Sequence, residues 1–185
     1  DGFVGQYEQG TNRSLTVEFM TINKDEFHFV QERIQRVFPE VHFHVRSVET
    51  QTPGLEVRRI RLYGEVLRPF VEKYDLLRGP KEDVTISPGL RLAGREVQAA
   101  YLRALFQADG TVRLRSRRSR TSDVVLTTVS PQLARDVQAL LLNLGIYARV
   151  QRGTETRSNR RVPYFVSVGY ADARNRFREL IGFVS

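Results

Sequence analysis

The segment best suited to chemistry is Leu102-Arg103-Ala104-Leu105-Phe106-Gln107-Ala108-Asp109-Gly110. Leu102, Leu105 and Phe106 form an apolar stripe at helical spacing. Ala100, Ala104 and Ala108 keep a second face small enough for another helix to approach closely. Gly110 predicts a helix stop in a left-handed turn, which puts Asp109 in the last helical turn. The helix dipole favours cations there, by about 0.3–1 kcal/mol, and disfavours a carboxylate. A bound cation would offset that misplacement. In isolation, an ordinary Asp-Gly turn accounts for the pair better than a metal does. A second pair, Asp1-Gly2, opens the chain.

The other residues suited to chemistry are arginines in alternating rows. Alternation along Thr111–Arg117 puts Arg113, Arg115 and Arg117 on one face and Val112 and Leu114 on the other. Arg59 and Arg61 share a strand face, as do His42, His44 and Arg46, and as do Tyr147, Arg149 and Gln151. Such rows suit the major groove, where Arg pairs with guanine and Gln with adenine. Arg117, Arg118 and Arg120, in the loop Ser116–Arg120, suit phosphate contacts. For any single arginine, a solvated strand face is an equal explanation. The charge favours a polyanionic partner all the same. Lys and Arg number 29 against 21 Asp and Glu, a net charge of +8, with a pI near 10.3. Only Lys24, Lys73 and Lys81 are lysines. A GC-rich genome would explain that ratio but not the sign of the charge.

The elements that must position these residues occur twice. Phe19-Met20-Thr21-Ile22-Asn23-Lys24, running into Val30-Gln31, returns 107 residues later as Leu126-Thr127-Thr128-Val129-Ser130-Pro131, running into Val137-Gln138. Each is a strand end, a helix-capping residue and an amphipathic helix. Phe27, Val30, Ile34 and Val37 line the first helix; Leu133, Val137, Leu140, Leu141 and Leu144 line the second, which Gly145 ends. The same offset maps Tyr63-Gly64 and Phe70 onto Tyr170-Ala171 and Phe177. Each copy reads as two strands, a helix, two more strands and a closing helix. The second copy begins with a helix over Glu96–Gln107, whose counterpart in the first copy would precede Asp1. The expected organisation is a first half over 1–76, a linker over 77–95 marked by Gly79-Pro80 and Pro88-Gly89, and a second half over 96–185.

Several classes are excluded. The chain has no cysteine, so disulfide scaffolds, zinc fingers, iron–sulfur clusters and cysteine nucleophiles drop out. Three histidines are too few for a histidine-rich metal cluster. No run approaches the roughly 18 apolar residues of a membrane span. The N-terminus lacks a basic-then-apolar signal. A soluble, cytoplasmic protein with no membrane partner and no small-molecule substrate is expected.

The stretch from Leu102 to Gly110 resembles the signature helix of the LAGLIDADG homing endonucleases, in the form found inside inteins, matching at Leu102, Leu105, Ala108, Asp109 and Gly110. Ala104 replaces the family's helix-interface glycine and Gln107 its first acidic residue. Asp1-Gly2-Phe3-Val4-Gly5 is similar to the tail of a first signature motif, and Leu180-Ile181-Gly182-Phe183 to a late endonuclease block. The resemblance implies an α+β fold of two pseudo-symmetric αββαββα halves, paired through their signature helices, with a saddle of antiparallel sheets for DNA. It implies that Asp1 and Asp109 meet at the base of that interface and bind Mg2+, with the Ala108 carbonyl as a further ligand. Lys81 is then the candidate basic residue near one metal, with a solvated linker charge as the even alternative. DNA contacts would come from His44, Arg46, Arg59, Arg61, Arg113, Arg115, Arg117, Arg118, Arg120, Arg149 and Gln151.

The function expected from this resemblance is site-specific hydrolysis of both strands of a long DNA target by a monomeric, nucleoid-associated prokaryotic enzyme. The chain has neither an opening Cys or Ser nor a closing His-Asn, so it should cut DNA rather than splice protein. The alternative is a nucleic-acid binder of the same fold that no longer cleaves, similar to an intron RNA maturase. Asp1 and Asp109 together argue against that alternative.

Overall fold

Asn23 and Ser130 start the two helices that the repeat predicts, and they do so in the same way. The Asn23 side chain accepts a hydrogen bond from the Glu26 amide at 2.8 Å, opening α1 (Lys24–Val37). Ser130 accepts from the Leu133 amide at 3.0 Å, opening α5 (Pro131–Asn143), with Pro131 in the first turn. Glu26 also reaches back to the Ile22 amide at 3.0 Å, satisfying a second donor at that helix start. The structure, a computed structural model, describes residues 2–6, 15–50, 57–77, 79–114, 122–154 and 161–184. Contacts divide the chain into two compact units, Asp1–Leu77 with Val184–Ser185, and Arg78–Phe183.

Each unit is an antiparallel four-stranded sheet with helices on one face, so the fold is α+β. In the first unit β1 (Gly2–Gln6), β2 (Leu15–Thr21), β3 (Phe43–Val48) and β4 (Val57–Tyr63) run in the order β1-β2-β4-β3. In the second, β5 (Gly110–Leu114), β6 (Ser122–Thr128), β7 (Arg149–Arg152) and β8 (Tyr164–Val168) repeat that order as β5-β6-β8-β7. Alternation sorts the faces. Leu15, Val17, Ile60 and Leu62 pack with Phe27, Ile34, Leu67 and Val71 in the first core. Val124, Leu126, Val166 and Val168 pack with α5 and with Leu102, Phe106 and Phe177 in the second.

The registers refine the repeat. In the sheets Val17 pairs with Leu62, and Val124 with Val168, so Tyr63 corresponds to Gly169 rather than to Tyr170. The closing helices agree. Buried Leu67 and Val71 take the places of buried Ala173 and Phe177, in α2 (Arg68–Lys73, after a 3-10 turn at Glu65–Leu67) and α6 (Ala171–Leu180). The offset drops by one residue in the loops between α1 and β4, where a length change costs no core contact.

The segment joining the repeats is itself ordered. A 3-10 turn at Lys81–Asp83 leads to the short α3 (Pro88–Arg91), and Ile86 is fully buried in the second core. Asp136, 4% exposed on α5, holds it there, accepting from the Ile86 amide at 3.0 Å and from Arg91 at 3.4 Å. Ser130 donates to the Val84 carbonyl at 2.7 Å. Among the described residues, no helix is long and apolar enough to cross a membrane.

Candidate nucleic-acid interface and metal ligands

The face of the first sheet opposite its core is built by register. Arg61 on β4 lies between His44 on β3 and Glu18 on β2, and Arg59 lies between Arg46 and Met20. The predicted strand rows of the first copy therefore share one surface. His42 precedes β3 and stands outside that row. The surface also contains a residue the arginine pattern does not lead to. Glu18, 9% exposed, pairs with Arg61 at 2.5 Å and Arg59 at 3.5 Å. The alternation of Val17, Glu18 and Phe19 places it there. The Tyr63 hydroxyl accepts from Arg61 at 3.4 Å, and this bond, ahead of Glu18, holds the guanidinium above its ordinary pKa.

The corresponding face of the second sheet is built differently. Arg113 lies opposite Asp123, and Arg149 opposite Ser167, which pairs in turn with Val125. A polar cavity of about 460 Å³ opens on this face, lined by Arg113, Asp123, Tyr147, Arg149, Gln151 and Ser167 with the adjoining Gly169 and Tyr170. Asp123 is 5% exposed and lies 3.9 Å from Arg113. The cavity brings Arg113, Arg149 and Gln151 together, and adds a tyrosine pair, Tyr147 and Tyr170, packed edge-on at 5.4 Å. Tyr170 caps α6 instead of ending a strand, and strand patterning alone gives no signal for it. Val112 and Leu114 fall on the helix side of the sheet by register but are 60% and 69% exposed, because β5 is an edge strand. Arg115, Arg117, Arg118 and Arg120 lie outside the described residues.

Arginines elsewhere do structural work, which separates them from the sheet faces. Arg95 donates to the Leu144 carbonyl at 3.3 Å, and Arg103 and Arg174 donate to the carbonyls of Ile181 and Ser122. Arg68 bridges Glu65 and Glu72 along its helix. Arg46 and Arg149 have no ion pair among the described residues, and both are exposed on the open faces.

Asp109 is the last residue of α4 (Arg95–Asp109), exposed, against the negative end of the dipole as predicted. Gly110 departs from its predicted left-handed turn. Its backbone is extended, at φ −85° and ψ 158°, and it opens β5 directly. Glycine is required there for space, since a Cβ would run into the Phe106 carbonyl. Leu102 and Phe106 pack inward, with Phe106 edge-on to Phe177 at 5.0 Å, whereas Ala100, Ala104 and Ala108 are exposed. The Ala108 carbonyl has no helical residue four ahead to donate to it. Asp109 and Ala108 thus offer hard oxygen donors at one helix end, the donor chemistry that Mg2+ takes. Among the described residues no cluster of three metal-ligating side chains exists. Lys81 opens the exposed turn beside Glu82, which pairs with Arg161 at 3.0 Å. Asp1 lies outside the described residues.

Two antiparallel sheets, each with one packed face and one arginine-bearing face, and an acid-ended helix leading into the second, define a two-repeat protein of the LAGLIDADG fold. Residues 96–182 match the LAGLIDADG-like domain family. The structure is similar to mesophilic variants of the homing endonuclease I-DmoI, with TM-score 0.63 at 16% identity over 98% of this chain and 87% of that one. It is also similar to I-DmoI in complex with DNA and Mn, with TM-score 0.61 at 15% identity over 98% and 88%. Replicative DNA helicase DnaB of Rhodothermus marinus is 42% identical over 89 residues, 48% of this chain and 9% of that protein. Ribonucleoside-diphosphate reductase NrdEB subunit alpha of Bacillus subtilis is 41% identical over 58 residues, 31% and 5%. Replication factor C small subunit of Methanocaldococcus jannaschii is 27% identical over 152 residues, 82% and 7%. The chain spans between 5% and 13% of the length of the curated relatives it matches. The second repeat, residues 96–182, is thus the part that matches the LAGLIDADG-like domain, and the whole chain has the two-domain homing-endonuclease fold.

Proposed function

We propose that this chain is a site-specific DNA endonuclease that makes a staggered double-strand break in a long duplex target. The observation that carries this reading is the open sheet face in each unit, lined by arginines that stay accessible to solvent, of which Arg46 and Arg149 form no ion pair among the described residues. Arg46, Arg59, Arg61 and His44 in the first half, and Arg113, Arg149 and Gln151 in the second, would read base edges. Arg115, Arg117, Arg118 and Arg120 would hold phosphates and neighbouring bases, and strong salt dependence follows. The halves are 1–76 and 96–185, joined by 77–95. Asp109 and Asp1, with the Ala108 carbonyl, would hold Mg2+. When bound, the ion supplies an activated water and stabilises the leaving oxygen in phosphodiester hydrolysis. Asp109 would orient it, and Lys81 would add positive charge near one scissile phosphate. The solved neighbour I-DmoI is described with DNA and with Mn, which supports DNA as the partner and a divalent metal as the cofactor. A monomer is sufficient, because one chain contains both repeats.

The relatives support an intein origin. Proteins named as a replicative DNA helicase, a ribonucleoside-diphosphate reductase subunit and a replication factor C subunit each match this chain over a small fraction of their own length. A segment common to unrelated proteins is best explained as an insert that travels between hosts, and such an insert acts inside the cell on chromosomal DNA. The test is incubation of the full-length protein with a randomised duplex library, with Mg2+ and with EDTA. Metal-dependent cutting at one long site is expected. Salt-sensitive binding with no cutting would favour the binding-only, maturase-like reading.

A further inference from the structure

Glu18 is a carboxylate set into a face otherwise lined by arginine. It is 9% exposed, and β2 places it directly across from Arg61 on β4. One carboxylate oxygen lies 2.5 Å from an Nη of Arg61 and the other 3.5 Å from Nε of Arg59. Burying a carboxylate is costly unless cations pair with it, and these two do. A surface shaped only to attract phosphates gains nothing from this arrangement, because one negative charge cancels one arginine and weakens the pull on a polyanion.

What the carboxylate adds is orientation. A free arginine on a strand face samples many rotamers, whereas a tethered guanidinium has its remaining N–H groups aimed before a ligand arrives. Arg61 is held from another side as well. It donates to the Tyr63 hydroxyl at 3.4 Å and lies 5.8 Å from that ring's centre, and Tyr63 packs edge-on against His44 at 5.6 Å. The side chains of Arg59 and Arg61 remain 36% and 27% exposed, so both still face solvent after pairing. Arg46 lies across from Arg59 and completes the row. In the second unit the register puts Val125 in the place of Glu18, and a carboxylate at a different position, Asp123, lies 3.9 Å from Arg113.

The geometry points to Glu18 as a positioning residue that fixes Arg61 and Arg59 to read guanine edges in the half-site bound by the first unit. The inference rests on the DNA-cleavage reading above. Glu18 touches no base itself; it converts two mobile charges into aimed forks. It lowers general affinity for DNA and raises discrimination.

The experiment selects duplexes from a randomised library with the full-length protein and its Glu18→Gln and Arg61→Lys variants, with circular dichroism melts to check folding. Glu18→Gln keeps the shape and removes the charge. It is expected to lose guanine preference about 5- to 150-fold at one or two adjacent positions, the worth of a bidentate arginine–guanine pair, with the other positions unchanged. Its binding to random duplex should tighten, with a log–log salt slope steeper by about one unit. Arg61→Lys keeps the charge without the fork and should lose the same positions. A Glu18→Gln consensus identical to the wild type overturns the proposal, and so does a loss spread evenly over all positions. Should Glu18→Gln not fold, full guanine preference in Arg61→Lys overturns it. A wild type that selects no consensus refutes the endonuclease reading instead.

Discussion

Replacing Asp109 by Asn should raise stability while removing cleavage, and the two effects together identify the residue's role. Asp109 ends a 15-residue helix with its carboxylate at the negative pole of the dipole. Exposed charges of the wrong sign there cost about 0.3–1 kcal/mol, and an exposed site such as this one lies toward the low end. Asn is nearly the same size and carries no charge, so the helix should gain about 0.3–0.5 kcal/mol, a rise of about 1–2 °C in Tm at low ionic strength. Salt should erase that gain. Mg2+ should do the opposite to the wild type, adding about 1.4 kcal/mol at a tenfold excess over its Kd, and should do little to the variant. Cleavage should fall at least about a hundredfold, since metal ligation supplies several kcal/mol at about 1.4 kcal/mol per tenfold in rate. Thermal melts in EDTA at low and high salt and in Mg2+, beside a cleavage time course, read these effects. An Asp109→Asn protein that is less stable than wild type, or that keeps the Mg2+ shift, would refute the reasoning by making Asp109 an ordinary structural turn residue.

Other expectations follow from the packing and the sheet faces. Asp136→Ala strands the buried Ile86 amide and frees Arg91, and should cost about 2–4 kcal/mol in denaturant unfolding of the second unit, with faster hydrogen exchange at Ile86. Phe106→Ala removes a fully buried ring that meets Phe177 edge-on, and should cost about 3–5 kcal/mol by the same assay. Arg149→Ala should weaken binding to a selected duplex by about 1–3 kcal/mol and relax preference at one base pair, as measured by competition against single-base variants. Wild-type binding should fall steeply with added salt, at a log–log slope of about −0.9 per phosphate contact, and a flat titration would contradict the electrostatic account of the arginine faces.

Local chemistry made much of this architecture legible in advance. Asn23 and Ser130 cap their helices because a short polar side chain before an amphipathic run has few better uses, and Asp109 ends its helix where the Asp-Gly pair placed it. Strand alternation put Arg59 with Arg61 and His44 with Arg46, and the registers join them into one surface. What escaped depends on partners far along the chain. Ile86 looks like part of a Gly-Pro linker until Asp136 and Ser130, some 46–50 residues away, fold the segment inward. Gly110 is extended rather than left-handed because β5 must start at once to pair with β6. The repeat slips by a residue after α1, so Tyr63 and Tyr170, which match as letters, occupy different structural positions. Alternation puts Glu18 and Asp123 on the arginine faces, but which arginine each carboxylate meets is decided by cross-strand register, which the sequence does not show.

The measurement that bears most directly on the central claim is strand-resolved mapping of breaks on a duplex selected by the full-length protein, with Mg2+ and with EDTA. One break in each strand, offset from one another and both absent in EDTA, is the predicted result. An intact duplex that stays tightly bound in Mg2+ would contradict the claim and leave a protein that recognises DNA without cutting it.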